Sequence, residues 1–494
     1  MRDTYSWRNI LVQRLRKQWP DTAGISPRRL CDVELGLYCL RSLFASAPAH
    51  ALWVVLSGYN FPFPEAMHWT DEQRRMLNNA RHILTPFKNP FPWQRILDQY
   101  LYLPEHLRGY DIAEQHDQYA TRPISLCVNR WEVYHQALTS PLKHTRRTLT
   151  WADAGQYRFS GQRHWTSVTL PSDLVFPAPA PGHTLDGKPS RSPLTVSWED
   201  LLDTAHWMDT QLTQQRQKPS NLWEILERVQ LELFNPDRTA LQPSGHLYLD
   251  GMLHLIGMVS SGKSTLMNVL AVWMARQGMH CTLVVGDVMG VLERAQLFTD
   301  LGLRAAPILG ASNRERHTNR LHRMVAASQT AGALSQSHIG FRWLSSACPL
   351  DGLRDTAQPL TIGQQPCLQL YAVAKNDEED ANRKARACPL YHVCPFHQAQ
   401  RDLVAASIWI ATPAGLVYTR VAPQINPEQL RFAELVYRRS NLVIVDEADQ
   451  VQMQLDTIFS PNQTLVSRST DAWMGRLSQQ VLVQLNREGR SQLV

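Results

Sequence analysis

Apolar residues repeat at helical spacing through the first half of the chain. Within residues 30–44, the apolar positions that share one helical face are Leu30, Val33, Leu37, Leu40 and Leu43. A spacing of three or four residues predicts a helix with one buried side. The pattern returns over 197–212 and 221–234. We therefore expect residues 1–170 to form a mainly α-helical N-terminal domain.

The pattern changes near residue 245, where short apolar runs replace the helical periodicity. These runs, which are typical of buried parallel strands, cover 253–257, 281–286, 407–411 and 441–445. Helical patterns lie between the earlier runs, so residues 245–494 are predicted to form an α/β domain. Residues 171–193 are rich in Pro, Gly and Ser, which predicts a linker and helical connector over 171–244.

Composition and charge narrow the class of protein only a little. The chain has 494 residues, enough for two or three domains, and its apolar fraction of 44% is that of a soluble globular protein. The net charge of +6 weakly favours polyanionic partners. No apolar run is long enough to span a bilayer, and no segment has the pattern of a secretory signal. We therefore expect a cytoplasmic protein with no membrane partner.

Half of the eight cysteines fall in one stretch of the chain. The clustered residues, with 18, 20 and 5 residues between them, are Cys348, Cys367, Cys388 and Cys394. The scattered residues, expected to be plain thiols, are Cys31, Cys39, Cys127 and Cys281. In a reducing compartment, clustered cysteines indicate a metal site rather than disulfides. His392 and His397 lie beside the last pair and are alternative ligands.

The stretch GMVSSGKST (257–265) has the pattern G-x-x-x-x-G-K-[ST]. It lies between an apolar run and a helical pattern, which is the context that a phosphate-binding loop needs. Glycines let the backbone curl so that successive N–H groups face the phosphates, Lys263 reaches the β- and γ-phosphates, and the Ser264 hydroxyl ligates Mg²⁺. The predicted ATP-binding residues in this loop are Gly257, Ser260, Ser261, Gly262, Lys263, Ser264 and Thr265.

A second acidic motif follows an apolar run near the end of the chain. In NLVIVDEADQV (441–451), the tetrad Asp-Glu-Ala-Asp comes directly after four apolar residues. Asp446 at the end of a strand can hold Mg²⁺, and Glu447 can act as general base toward the attacking water. Asp449 can couple the site to neighbouring loops, or it can simply cap the helix that begins there. The predicted catalytic residues are Lys263, Asp446 and Glu447.

Together the two motifs resemble the first RecA-like motor domain of superfamily 2 helicases. Residues 282–321 resemble the strand and helix that meet the nucleic-acid backbone in those enzymes. The candidate contacts that this resemblance implies are Gln296, Ser312, Arg314, Arg316 and Arg320. Residues 286–290 lack the threonine-rich pattern of many relatives, so contacts there have no support from the motif.

The spacing of the two motifs leaves room for an inserted domain. Lys263 and Asp446 stand 183 residues apart, whereas a plain motor domain needs on the order of a hundred. The clustered cysteines lie in this surplus, at about 335–405, which is similar to the iron–sulfur helicases of the XPD/DinG family. The resemblance implies an α/β P-loop (RecA-like) motor domain with an inserted cysteine-cluster domain, after a mainly α-helical N-terminal domain. It also implies that the four cysteines hold a 4Fe–4S cluster.

The spacing of the cysteines by itself leaves the metal open. Structural zinc sites favour tighter pairs, but His392 or His397 could complete a Cys₃His site for Zn²⁺. Four widely spaced thiolates suit a cubane equally well.

In function, the resemblance implies an ATP-dependent helicase that moves 5′ to 3′ on single-stranded or forked DNA. The N-terminal half further resembles an extra domain of DinG-type helicases from pPIWI-RE defence islands, so defence or repair proteins are expected partners. Only 45 residues follow Asp449, among them Arg487 and Arg490. We therefore expect a partner subunit or a C-terminal extension to supply the second motor domain. The alternative is a nucleotide-dependent scaffold or switch, with structural zinc, that assembles a defence or repair complex.

Overall fold

The structure is a computed structural model. The residues that it describes are 6–17, 19–20, 25–57, 68–113, 115–141, 146–147, 149–160, 165–175, 185, 192–216, 220–234, 237, 239–258, 260–328, 338–354, 360, 363–373, 384–459, 477 and 481. The chain divides into two compact units, one built from residues 2–143 and 456–494 and the other from residues 144–455. Among the described helices, none is both long enough and apolar enough to cross a membrane.

The first unit is a helical bundle with one short hairpin. Its elements are α1 (Ser6–Arg16), α2 (Pro27–Leu43), α3 (Leu52–Leu56), α4 (Asp71–Ile83), α5 (Pro90–Leu101), β1 (Tyr110–Ile112), β2 (Tyr119–Thr121) and α6 (Arg130–Thr139). The Ser26 side chain caps α2 and Pro27 begins it, as expected at a helix N-terminus. The five apolar positions predicted to share a face in 30–44 are all buried in α2, so that prediction is confirmed.

A fully paired carboxylate lies at the centre of this bundle. Glu34 on α2 is completely buried and accepts hydrogen bonds from Arg130, at 2.8 Å, from Tyr134, at 2.7 Å, and from Tyr100, at 3.1 Å. The backbone N–H of Gly109 is a further donor, at 2.7 Å. A buried charge is tolerated when its lone pairs are satisfied in this way, and removing one partner is expected to be costly. The network ties α2 to α5 and α6.

The second unit contains a four-stranded parallel sheet. Its strands are β9 (Cys281–Val284), β10 (Ala305–Ile308), β12 (Ile408–Ala411) and β13 (Leu442–Val445), in the order β10-β12-β9-β13. Side chains on both faces of β12 are buried, which is typical of a parallel strand covered on each side. The strands predicted in 281–286, 407–411 and 441–445 are confirmed.

The second unit also contains ten helices within its described residues. They are α7 (Trp198–Arg216), α8 (Leu222–Glu227), α9 (Lys263–Arg276), α10 (Val288–Asp300), α11 (Arg314–Ser328), α12 (Gly340–Leu344), α13 (Gln398–Ala405), α14 (Pro413–Tyr418), α15 (Phe432–Arg439) and α16 (Ala448–Phe459). The helix predicted after the phosphate loop is α9, and its apolar face is buried as expected.

The strand predicted at 253–257 is absent from the structure. These residues have no regular structure, and Ile256 is 92% exposed. The nearest strand in sequence, β8 (His246–Leu249), pairs instead with β5 (Leu194–Ser197). Within the described residues, β13 forms an open edge of the parallel sheet. An apolar run predicts a strand without naming its partner, and here no pairing forms.

The connector predicted over 171–244 is in part a packed element of the second unit. The core side chains of α7 lie in the same apolar cluster as those of α9, and the Arg276 guanidinium lies 4.5 Å from the centre of a Trp207 ring. The helix predicted over 221–234 ends at Glu227, and β6 (Glu232–Phe234) pairs with β7 (Leu241–Pro243). Most of residues 171–193, the segment rich in Pro, Gly and Ser that was predicted as a linker, lies outside the described residues.

Residues 155–170 also differ from the predicted helical domain. They form a hairpin of β3 (Gly155–Ser160) and β4 (Trp165–Leu170), which β11 (Tyr371–Ala372) extends to three antiparallel strands. The alternation of buried and exposed side chains in β3 and β4 is the period of a strand. This hairpin belongs to the second unit and packs beside the clustered cysteines.

Candidate functional site

The phosphate loop turns sharply into helix α9. The backbone is left-handed at Ser260, with φ of 62°, and at Gly262, with φ of 86°. Glycine accepts this conformation without strain, whereas for Ser260 it costs about 1–2 kcal/mol. Strained backbone of this kind concentrates at functional sites. The loop therefore has the tight geometry that its sequence predicts.

Space is also limited at both glycines of the loop, and most strictly at Gly262. A Cβ on Gly262 would lie only 2.8 Å from Cγ2 of Val229, and one on Gly257 only 2.9 Å from Oγ of Ser261. Val229 follows α8, so the segment before the loop packs directly against its second glycine. This contact adds a steric requirement that the motif alone does not contain.

Lys263, the first residue of α9, is hydrogen-bonded to its own loop. Its Nζ donates to the carbonyl oxygens of Gly257, at 2.6 Å, and of Met258, at 2.5 Å. When a phosphate binds, the ammonium group can exchange these hydrogen bonds to neutral carbonyls for stronger hydrogen bonds to the charged phosphate oxygens. Ser264 and Thr265 occupy the next positions of α9, in its first turn, where N–H groups are free of intrahelical partners.

The acidic tetrad lies at the carboxyl end of β13. The Asp446 N–H donates to the carbonyl of Val284 at the end of β9, at 2.9 Å, and its side chain is partly buried. Glu447 is exposed and has a left-handed φ of 49°. Asp449 lies in the first turn of α16, where a carboxylate favours the helix N-terminus. Ligands in α/β sheets bind at this edge, outside the carboxyl ends of the strands.

The carboxylate of Asp446 forms an ion pair with an arginine that the sequence motifs did not identify. Nη2 of Arg294, on α10, lies 2.5 Å from Oδ2 of Asp446, and each side chain is 19% exposed. Within helix α10, Arg294 is simply a polar position of an amphipathic pattern, so nothing in the sequence marks it. Throughout the described residues, no hydrogen bond or ion pair joins 257–265 to 446–449.

The four clustered cysteines line one cavity. Its lining includes Cys348, Cys367, Cys388 and Cys394, together with His397. A backbone hydrogen bond of 3.0 Å from Cys388 to Cys367 brings their two segments together. Among the described residues, no group of three or more His, Cys, Asp or Glu side chains has the arrangement that a metal ion requires. The four thiols therefore share one cavity.

The hairpin β3–β4 forms part of the wall behind these cysteines. Its apolar side chains share one buried cluster with Cys388 and its neighbours, and the buried members from the hairpin are Tyr157, Phe159, Val168 and Leu170. Backbone bonds from Ala152 to Ala387 and from Ala387 to Thr150 fix the strand that leads into Cys388. The cysteine region is therefore built from two distant parts of the chain.

Of the two candidate histidines, His397 contacts a cysteine. Its Nε2 lies 3.2 Å from Sγ of Cys367 and its Nδ1 lies 2.8 Å from Oε1 of Gln400. Burial lowers the pKa of His397 to about 4, so the ring is neutral at pH 7. His392 lies against the Trp151 ring instead, with centroids 5.9 Å apart.

Burial also raises the pKa of the four thiols. The pKa of Cys348 rises to about 11 and that of Cys388 to about 12, and the shift has the same direction for Cys367 and Cys394. Metals bind the thiolate, so a bound metal must displace these protons.

The predicted nucleic-acid contacts divide into exposed and buried residues. Ser312, Arg316 and Arg320 are exposed, and Arg320 also pairs with Asp287 at 2.9 Å. The other two candidates have partners inside the protein. Both ends of the Gln296 amide are occupied, by Asp300 at 2.6 Å and by the Ile339 N–H at 2.8 Å. Arg314 is only 2% exposed, so its guanidinium does not face a nucleic-acid backbone.

Comparison with known proteins gives one match. Residues 22–185 match a family model described as pPIWI RE three-gene island domain Z, which covers about a third of the chain. No curated protein and no solved structure matches. The match supports a defence-island context, and the resemblance of the N-terminal half to proteins of these islands is confirmed to that extent. Its range includes the hairpin behind the cysteines.

Proposed function

We propose that this chain is the ATP-binding motor part of a DinG-like iron–sulfur DNA helicase that serves a pPIWI-RE defence island. The observation that carries the proposal is the phosphate loop. Left-handed backbone at Gly262 leads directly into α9, and Lys263 begins that helix with its ammonium group on the loop carbonyls. A loop that places N–H groups, a lysine and two hydroxyls at one helix N-terminus is built for a nucleotide phosphate.

The acidic edge of the sheet supports nucleotide hydrolysis as the reaction. Asp446 lies at the carboxyl end of β13, beside the end of β9, where ligands of parallel sheets bind. With ATP as substrate, Ser264 and Asp446 would hold Mg²⁺, which neutralises developing phosphate charge. Glu447, exposed beside this edge, would orient the attacking water and accept its proton.

The cysteine cavity is the observation that favours a 4Fe–4S cluster with a structural role. Four thiols around a shared space suit a cubane, because each of its cysteine thiolates binds a different iron. The cysteines Cys348, Cys367, Cys388 and Cys394 would hold the cluster, and its contribution there is to fix the inserted segments in place.

Nucleotide binding by a Lys263→Ala variant tests the phosphate loop. We expect the affinity for ATP with Mg²⁺ to fall about 10- to 100-fold, because charge-assisted bonds are lost. The matched control is Lys384→Ala, which removes an exposed lysine elsewhere in the same unit. Titration calorimetry measures both variants. Equal affinities in wild type and Lys263→Ala would contradict the assignment of the loop.

A nucleotide-dependent scaffold is the alternative, and the Arg294–Asp446 ion pair favours it. That pair occupies the carboxylate that hydrolysis requires. ATP turnover with and without single-stranded DNA separates the two functions. Stimulation by DNA supports the helicase, whereas nucleotide binding with no stimulated turnover supports the scaffold.

A further inference from the structure

Arg314 is a buried cation in contact with the cysteine segments. It is the first residue of α11, and 2% of its surface is exposed. Its Nη1 donates to the carbonyl oxygens of Ser345 and Phe396, each at 2.7 Å, and its Cζ lies 4.2 Å from the centre of the Phe396 ring.

These two carbonyls belong to opposite ends of the inserted segment. Ser345 lies three residues before Cys348, and Phe396 lies two residues after Cys394. One guanidinium therefore joins the segment of the first cysteine to that of the last. A second arginine, Arg401, holds the last segment alone, where its Nη1 donates to the Cys394 carbonyl at 2.7 Å.

The charge of Arg314 has no carboxylate opposite it. Within the described residues its hydrogen bonds go to carbonyl oxygens and its Nε has no partner. Arginine keeps its proton in proteins, and an uncompensated buried charge is strongly destabilising. The two carbonyl oxygens are thus the groups that hold the guanidinium in place, so its position depends on both cysteine segments.

We propose that Arg314 is a positioning residue that clamps the first and last cysteine segments together around the metal site. This inference rests on the metal site of the proposed function. It gives Arg314 a role in the cavity and not in nucleic-acid contact. It also couples metal binding to the start of α11, whose exposed side carries Arg316 and Arg320.

Metal content of Arg314 variants tests this role. The full chain is purified without oxygen as wild type, Arg314→Met, Arg314→Lys and Arg316→Met, and iron, sulfide and zinc are assayed per chain. Arg316→Met is the matched control, since it removes an exposed arginine from the same helix. We expect wild-type metal content in Arg316→Met and a severe loss of metal in Arg314→Met. Arg314→Lys should have an intermediate metal content, because it keeps the positive charge but not the pair of hydrogen bonds to the two carbonyl oxygens.

Release of metal to a chelator provides the second measurement, in case Arg314→Met does not fold. Groups that support metal ligands typically change metal affinity 10- to 100-fold, so Arg314→Lys should release metal about tenfold or more faster than Arg316→Lys. Wild-type retention in both Arg314 variants overturns the inference and leaves the proposed function intact. Absence of metal from every chain, wild type included, overturns the cluster itself and the inference with it. ATP binding confirms that each variant is folded.

Discussion

The phosphate loop and the cysteine cavity differ in how the chain forms them: the loop is one consecutive segment, whereas the cavity combines several distant segments. The loop consists of nine consecutive residues, 257–265, its described residues are exposed or half-buried, and it is held by its own lysine. The cavity is buried and is assembled from residues near 150–170, 345–370 and 387–401. The loop depends on local backbone geometry, whereas the cavity depends on contacts between distant segments. Changes at one site should therefore leave the other intact.

The largest expected effect is loss of the metal in Cys388→Ser. A serine hydroxyl is a poor substitute for a soft thiolate ligand, and Cys388 is 8% exposed within the cavity wall. We expect most of the bound metal to be lost, as measured by metal analysis and absorbance near about 400 nm. ATP affinity should stay at the wild-type value.

Cys127→Ser is the control for this change, because it removes a thiol that lies in the other unit. It should keep the full metal content. Full metal content in Cys388→Ser would show that the ligand assignment is wrong. A parallel loss of ATP binding would show that the two sites are not independent.

A smaller effect is expected from Gly262→Ala in the phosphate loop. The added methyl group would meet Val229 at 2.8 Å in a left-handed conformation, so the loop must shift. We expect ATP affinity to fall roughly tenfold, about 1.4 kcal/mol, while metal content is unchanged. Fluorescence titration with an ATP analogue measures the first and metal analysis the second.

Gly278→Ala separates backbone strain from the steric contact. Gly278 has a similar φ of 71°, but no atom lies within 4 Å of the added Cβ. This variant should lose about 1–2 kcal/mol of stability and keep its ATP affinity. If it weakens ATP binding as much as Gly262→Ala does, contact with Val229 is not the cause.

The smallest effect should come from Arg294→Gln. Freeing the Asp446 carboxylate should lower the Mg²⁺ concentration needed for half-maximal ATP binding by a few-fold, since a partly exposed ion pair is worth about 1 kcal/mol. A magnesium titration at fixed ATP measures this shift. Arg316→Gln is the control, and an unchanged midpoint in Arg294→Gln would mean that the ion pair does not compete with the metal.

The sequence predicted those parts of the fold that depend on neighbouring residues. Helix α9, helix α2 and three strands of the parallel sheet follow from local apolar periodicity, and the structure has them. The phosphate loop is also predicted from neighbouring residues, because its glycines and its lysine lie within seven consecutive positions, 257–263. Residues 253–257 show the limit, since an apolar run does not state which strand it will pair with.

The sequence did not predict the partners that come from far along the chain. Arg294 meets Asp446, and Arg314 meets Ser345 and Phe396, only after the α/β units have folded. The sequence pattern of an amphipathic helix is the same whether its arginine side chain lies in solvent or is buried with a partner. The resemblance to helicases made Arg314 a candidate contact with nucleic acid, and its burial could be found only from the tertiary structure.

The hairpin behind the cysteines has a consequence for the order of folding. Its strand β3 pairs with β11, where Arg158 lies opposite Tyr371, so the hairpin is synthesised long before its third strand. Pairing across such a separation is slow because a long loop must close first. Until residues 371–397 leave the ribosome, the apolar face of the hairpin has no cover and is prone to aggregation. We therefore expect this region to be the part of the chain that most needs a chaperone during synthesis.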